Sequence, residues 1–163
     1  MTQEIAASMM IALAVLLLGL AWWGWSNRRR TFRHLEGALV RGLPGSESLL
    51  SFNGLYVATT VADKPLDRIP VGPLSFRAKA KFSLHPEGVV VGAQGETPVL
   101  LNAKDGIRAG RATWTIDRVV EPEGLVMIRW NLGGTEVDSY LRITETHPDT
   151  IVDAVNSLRG QAE

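Results

Sequence analysis

The chain has 163 residues, 45% of them hydrophobic, with no cysteine and a formal charge of zero. Without thiols there is no disulfide staple, zinc–thiolate site, iron–sulfur cluster or cysteine nucleophile, and the absence fits a reducing compartment. The charge is uneven: residues 28–41 hold five arginines against one glutamate and the chain from Gly42 onward is net acidic by three, which argues against a nucleic-acid-binding body, since that would carry the basic surplus itself.

Ile5 to Trp25 (IAASMMIALAVLLLGLAWWGW) contains no charged residue and one hydroxyl, Ser8. As a helix it rises about 31 Å, roughly the thickness of a hydrocarbon core, and it satisfies its own backbone polar groups as lipid requires. Trp22, Trp23 and Trp25 fall at its C-terminal end, where indole rings favour the headgroup interface. The preceding MTQE has no Lys or Arg, and Trp-Trp-Gly-Trp stands before Ser26. Both features are wrong for a cleaved signal peptide, as is the length of the apolar run. Arg28, Arg29, Arg30 and Arg33 follow directly, and arginines so placed stay on the cytoplasmic side. The expectation is a single-pass anchor in the cell membrane. Residues 1–4 lie outside, residues 5–25 span, and the body is cytoplasmic. The three tryptophans and four arginines meet the membrane lipids at the interface. Ser8-x-x-x-Ala12 is a small-residue pair suited to close approach of two anchors, and so to a homo-oligomer.

Residues 26–50 read as a basic juxtamembrane helix and a linker. In Thr31 to Leu43, Phe32, Leu35, Leu39 and Leu43 recur at helical spacing, with Arg33, His34, Glu36 and Arg41 off that stripe. Two readings fit. One is an interfacial helix on the anionic inner leaflet, each arginine attracted by about 1 kcal/mol; the other is a connector whose stripe packs on the body. Leu43-Pro44-Gly45-Ser46 breaks the helix.

Residues 51–160 form the predicted body, with 161–163 a tail. Seven strands are expected: Leu55–Val61, Ser75–Leu84, Val89–Ala93, Pro98–Asn102, Ala112–Val120, Leu125–Leu132 and Glu136–Ile143. The Pro-rich stretch Asp63–Leu74 cannot be a central strand. In the second strand Phe76, Ala78, Ala80 and Phe82 alternate with Arg77, Lys79 and Lys81, which places the cations on the opposite face. His85-Pro86-Glu87-Gly88, Lys104-Asp105-Gly106, Glu121-Pro122-Glu123-Gly124 and Gly133-Gly134 are turns. Asp149 to Leu158 reads as a helix with Asp149 as N-cap and Ile151, Val152, Val155 and Leu158 as its apolar stripe. An antiparallel meander closed by one amphipathic helix predicts bent sheets or a partly open barrel capped by that helix.

This order, with the anchor and its Arg28-Arg29-Arg30 collar, LYVATTVADKPLDRI, LGGTEVDSYLRIT and the closing helix, resembles a family of small actinobacterial membrane proteins. These carry a pleckstrin-homology-like (PH-like) domain and are sometimes described as export or transporter proteins. The resemblance covers most of the chain and implies the fold and the membrane location; it brings no catalytic motif.

The residues offer little chemistry. His34, His85 and His147 have no metal-ligand spacing and read as solvated turn or collar residues. Asp117 and Asp138 lie in strands, where a solvated or salt-bridged face is expected. Trp114 and Trp130 read as strand packing. No nucleophile elbow, P-loop or dinucleotide fingerprint is present, so no enzyme activity, metal or cofactor is expected. Arg77, Lys79 and Lys81, with Lys64 nearby, are the candidate site for an anionic ligand, by charge-assisted hydrogen bonds. A solvated strand face guarded by lysines against edge pairing is the plainer reading. The function expected is a non-enzymatic membrane-anchored module binding a protein partner at the inner face of the cell membrane. Sensing of anionic lipid, or an accessory role in membrane transport, stands as the alternative. No nucleic acid is expected among the partners.

Overall fold

The computed structural model describes residues 3–104, 106–112 and 124–159. The apolar run and the collar form one unbroken helix, α1 (Gln3–Glu36). No proline interrupts it, and Ala, Leu and Met dominate its span. Within it Glu4–Asn27 has a mean hydropathy of 2.4 and is not buried by the rest of the chain. This is one helix long and apolar enough to cross a membrane.

The collar helix differs from expectation at its end. It stops at Glu36, and Gly37 and Ala38 turn the chain, with the Ala38 N–H donating to the Leu35 carbonyl. The chain then enters a two-residue strand, β1 (Val40–Arg41). The reason is the apolar stripe itself: Leu35 and Leu39 are buried in the core of the body and Phe32 packs against them. Of the two readings, the connector packed on the body is the one observed.

The sheet continues with β2 (Leu50–Val61), β3 (Lys64–Arg68), β4 (Ala78–His85), β5 (Gly88–Ala93), β6 (Val99–Asn102), β7 (Arg108–Ala112), β8 (Leu125–Leu132) and β9 (Thr135–Ile143). All pairings are antiparallel, in the order β1-β6-β5-β4-β2-β9-β8-β7, with β3 added to β2. β2 is the spine. Leu50–Tyr56 pairs with β4, Thr60 and Val61 pair with β3, and the opposite edge pairs with β9 through an irregularity between Tyr56 and Ala58. Such a bulge adds twist and lets a long strand serve two parts of a bent sheet.

The seven-strand meander is therefore present with two short additions, β1 and β3. Pro65 lies in β3, an outer strand, where a missing N–H is tolerated. The fifth strand begins at Arg108, ahead of the expected Ala112. Its sequence, RAGRA, has neither β-branched nor aromatic residues; pairing with β8 makes it a strand. Of the expected strand Ala112–Val120, residues 113–120 lie outside the described residues, and Trp114 and Asp117 with them. So do residues 121–123 of the following turn, Asp105, residues 1 and 2, and 160–163.

The C-terminal helix is α2 (Pro148–Arg159), with Ile151, Val155 and Leu158 buried against β7, β8 and β5. It starts one residue before the expected cap. Pro148 takes the first helical position, where its missing N–H costs nothing, and Asp149 sits in the first turn and accepts from Arg111 at 3.2 Å. Asn156 of α2 reaches the outer edge of β7. Its Oδ1 accepts from the Ala109 N–H at 2.8 Å, and its Nδ2 donates to the Ala109 carbonyl at 3.0 Å.

The end of α1 closes the opposite side of the structure. At Gly133, in the β8–β9 turn with φ +57°, a Cβ would lie 2.8 Å from the Cβ of Ala38, so only glycine admits this contact. At Gly72, in the 3-10 turn Gly72–Ser75, a Cβ would lie 3.2 Å from Leu39. The end of α1, the β8–β9 turn and the β3–β4 connection thus share one rim. A buried polar chain ties that connection to the sheet: Trp130 Nε1–H donates to Ser139 Oγ (3.0 Å), Ser139 meets Thr59 Oγ1 (2.7 Å), Thr59 meets the Tyr56 hydroxyl (2.7 Å), and Tyr56 donates to the Leu74 carbonyl (3.0 Å).

Candidate functional site

The period-2 alternation of β4 puts Ala80 and Phe82 inside and leaves Lys79 and Lys81 exposed on the outer face. Phe76, expected with the inward set, is instead exposed. The 3-10 turn delays the strand to Ala78, so Phe76 precedes the alternation.

The sheet register adds a residue that the sequence reading missed. Leu55 of β2 lies opposite Lys79 on one side and Arg142 of β9 on the other. Asn53 lies opposite Lys81, and on β5 the neighbour of Lys81 is Gly92, which contributes no side chain. The result is a groove of about 760 Å³ over four strands, lined by Lys79, Lys81 and Arg142. Its one lining carboxylate, Glu145, is occupied by Asn53, whose backbone N–H and Nδ2 both donate to it. Among the described residues none of the three cations has an ion-pair partner. Arg142 is visible in the sequence as the exposed member of a strand, but nothing there says that the last strand lies beside the first.

The other two candidate cations are placed elsewhere. Arg77 precedes β4 and has a contact of its own. Lys64 pairs opposite Val61, six residues along β2 from Leu55, or about 20 Å at strand rise. On α1, Trp22, Trp23 and Trp25 are exposed and the rings of Trp22 and Trp25 stand 5.9 Å apart. Arg30 and Arg33 are exposed on the same helix; the side chains of Arg28 and Arg29 lie outside the described residues.

Two further clusters are structural. His85, expected as a solvated turn residue, is buried. Its Nδ1 faces the Ser46 carbonyl at 3.1 Å, which can only accept, so Nδ1 carries the proton and Nε2 accepts from Ser83 at 3.0 Å. The Ser46 hydroxyl donates to Glu87 and holds that carboxyl below its usual range. This latches the linker to the β4–β5 turn. It is not a catalytic triad, because the hydroxyl proton points to the carboxylate and not to the imidazole. Arg129 clamps Asp138 through two bonds of 2.6 and 2.8 Å and reaches Asp63 at 2.8 Å. These carboxylates raise the Arg129 pKa, and Arg129 in turn lowers that of Asp63. Asp138 is thus the salt-bridged strand carboxylate expected. Among the described residues no group of three or more His, Asp or Glu side chains is gathered as a metal site would need.

Comparison with curated proteins gives no match. The pattern of the bacterial PH domain-like family matches residues 40–156, more than half of the chain, from β1 to the last turn of α2. PH-like domains are in general non-catalytic modules that bind proteins or lipids. With its antiparallel open sheet and closing helix, the chain belongs to the bacterial PH domain-like family.

Proposed function

We propose that this protein is a membrane-anchored docking module. α1 spans the cell membrane with its N-terminus outside, and the PH-like body on the cytoplasmic side captures a partner protein through an acidic, extended segment. The observation that carries this reading is the groove over β5, β4, β2 and β9. Three cations without ion-pair partners among the described residues border a shallow channel whose single carboxylate is already engaged. A carboxylate-bearing segment laid there gains charge-assisted hydrogen bonds and excludes little water, which suits reversible binding. Anchoring raises the effective concentration of any partner on the same membrane, so weak docking suffices.

The test uses the full chain in cells. A photo-crosslinking residue replaces Leu55, and a second variant adds Lys79→Gln, Lys81→Gln and Arg142→Gln. The expected result is a discrete crosslinked partner that disappears in the triple variant, with the crosslink mapping to a Glu- or Asp-rich segment. Unchanged crosslinking in the triple variant would sink the proposal. Protease treatment of spheroplasts checks the orientation: the body is expected to be protected until the membrane is opened.

A further inference from the structure

We infer that the rim where α1 enters the body rests on the bilayer surface, with Leu43, Leu66 and Phe76 seated among the lipid headgroups. This rests on the reading of α1 as a membrane span. Among the described residues, the large apolar side chains exposed on the body are Val40, Leu43, Leu49, Leu66 and Phe76. All but Leu49 sit at the rim.

The register places them there. Val40 and Arg41 pair with the rim end of β6, and Gly42 donates to the Pro98 carbonyl beside it, carrying Leu43. Leu66 is on β3, which folds back from the end of β2 next to the β8–β9 turn. Phe76 shares with Arg33, Glu36 and Arg41 a cavity of about 440 Å³ at the foot of α1. Leu49 is at the far end, bonded to the Leu84 carbonyl. Leu43, Leu66 and Phe76 are exposed by 70, 79 and 72%. Side chains of this size, so exposed and gathered at one end, mark a contact surface.

The geometry selects the bilayer as its occupant. Phe32, an apolar residue of α1 that packs on the body, lies seven residues beyond Trp25, or about 10 Å along the helix. The headgroup layer beyond the hydrocarbon is itself about 5–8 Å deep. A rim joined to the span by an unbroken helix of that length lies within a few ångströms of the headgroups, within reach of long exposed side chains. The charges agree. Of the rim carboxylates, Glu36, Asp63 and Glu136 are taken up by Arg41, Arg129 and Arg108, while Glu96, in the cavity with Phe76, faces outward against them. Arg30, Arg33 and Lys64 have no ion-pair partner among the described residues and face phosphates.

The native chain lacks cysteine, so single-cysteine labelling is clean. Leu66→Cys, Phe76→Cys and, at the far end, Lys104→Cys are each labelled with a fluorophore. The full-length protein is then reconstituted into phosphatidylcholine vesicles containing about 30% phosphatidylglycerol, an anionic lipid. Lipids bearing a headgroup nitroxide are the quencher. Quenching at positions 66 and 76 is expected to exceed that at 104 at least twofold. Equal quenching at the three sites overturns the inference. Intrinsic tryptophan quenching by lipids brominated in their tails separates the two readings. Quenched Trp22, Trp23 and Trp25 with an unquenched rim rejects the rim contact alone, whereas unquenched tryptophans reject the anchor and the rim contact together.

Discussion

Tyr56 is fully buried, and burial pushes its pKa upward, so it is neutral at any ordinary pH and serves as a hydrogen-bonding link. Removing its hydroxyl leaves the Leu74 carbonyl and Thr59 short of a partner inside the core. Tyr56→Phe should therefore cost about 1–3 kcal/mol in a urea melt, more than the loss of a solvated hydroxyl would. An unchanged midpoint would mean that the chain of hydroxyls is incidental. Asp63 is a different case. Its side chain is largely exposed, and its carboxyl is held below the ordinary 3.8 by the hydrogen bond from Arg129 and by its charge. The unfolded chain takes up the proton first as pH falls. The contribution of Asp63 is thus complete above its unfolded pKa and lost as pH drops through the lowered native value. An Asp63→Asn variant should be the less stable at neutral pH, and its denaturation midpoint should converge with that of the parent once the pH falls below the lowered native pKa. A gap that persists in acid would assign the loss to something other than the ion pair.

At the scale of elements, α1 performs two tasks along one axis. Its first two-thirds are not buried against the body, whereas Leu35, in its last turn, and Leu39, just beyond it, belong to the core. Leu35→Ala should remove about 2–5 kcal/mol of stability from the body, the cost of a buried leucine and the cavity it leaves. Leu18→Ala, which touches nothing in the body, should leave the same unfolding transition in place. Equal effects would mean that the helix end does not hold the core together. The elements also show where a linear reading succeeds. β8, β9 and α2 were legible because alternation and helical spacing are local patterns, and Gly133-Gly134 marks its own turn. RAGRA was not legible as a strand, because its strand character comes from β8. The end of the collar was misplaced for a related reason: Leu43 continues the spacing of Phe32, Leu35 and Leu39, yet the core needs only the latter three.

For the whole molecule, the fold could be read from order and punctuation, since seven strands and a closing helix admit few arrangements. The groove could be read only in part. Lys79 and Lys81 declare themselves by alternation within one strand. Arg142 lies more than sixty residues further on and reaches them only because β9 pairs with β2. Lys64, near in sequence, is displaced along β2 by the hairpin that carries it. The rim was not legible at all, because Phe76 reads as a core residue until the 3-10 turn takes it out of phase, and Leu66 belongs to a strand that the sequence presents as a loop. The contact between Asn156 and Ala109 also guards an edge of the sheet. Proteins confined to a membrane meet one another at far higher local density than in solution, and among the described residues the path of the open sheet has two ends at which copies could stack into a ribbon. One of these terminates in the two-residue β1. At the other, the side-chain amide of Asn156 occupies the backbone groups that a neighbouring strand would need. Pairing with a copy is thus hindered at both ends of that path under crowding.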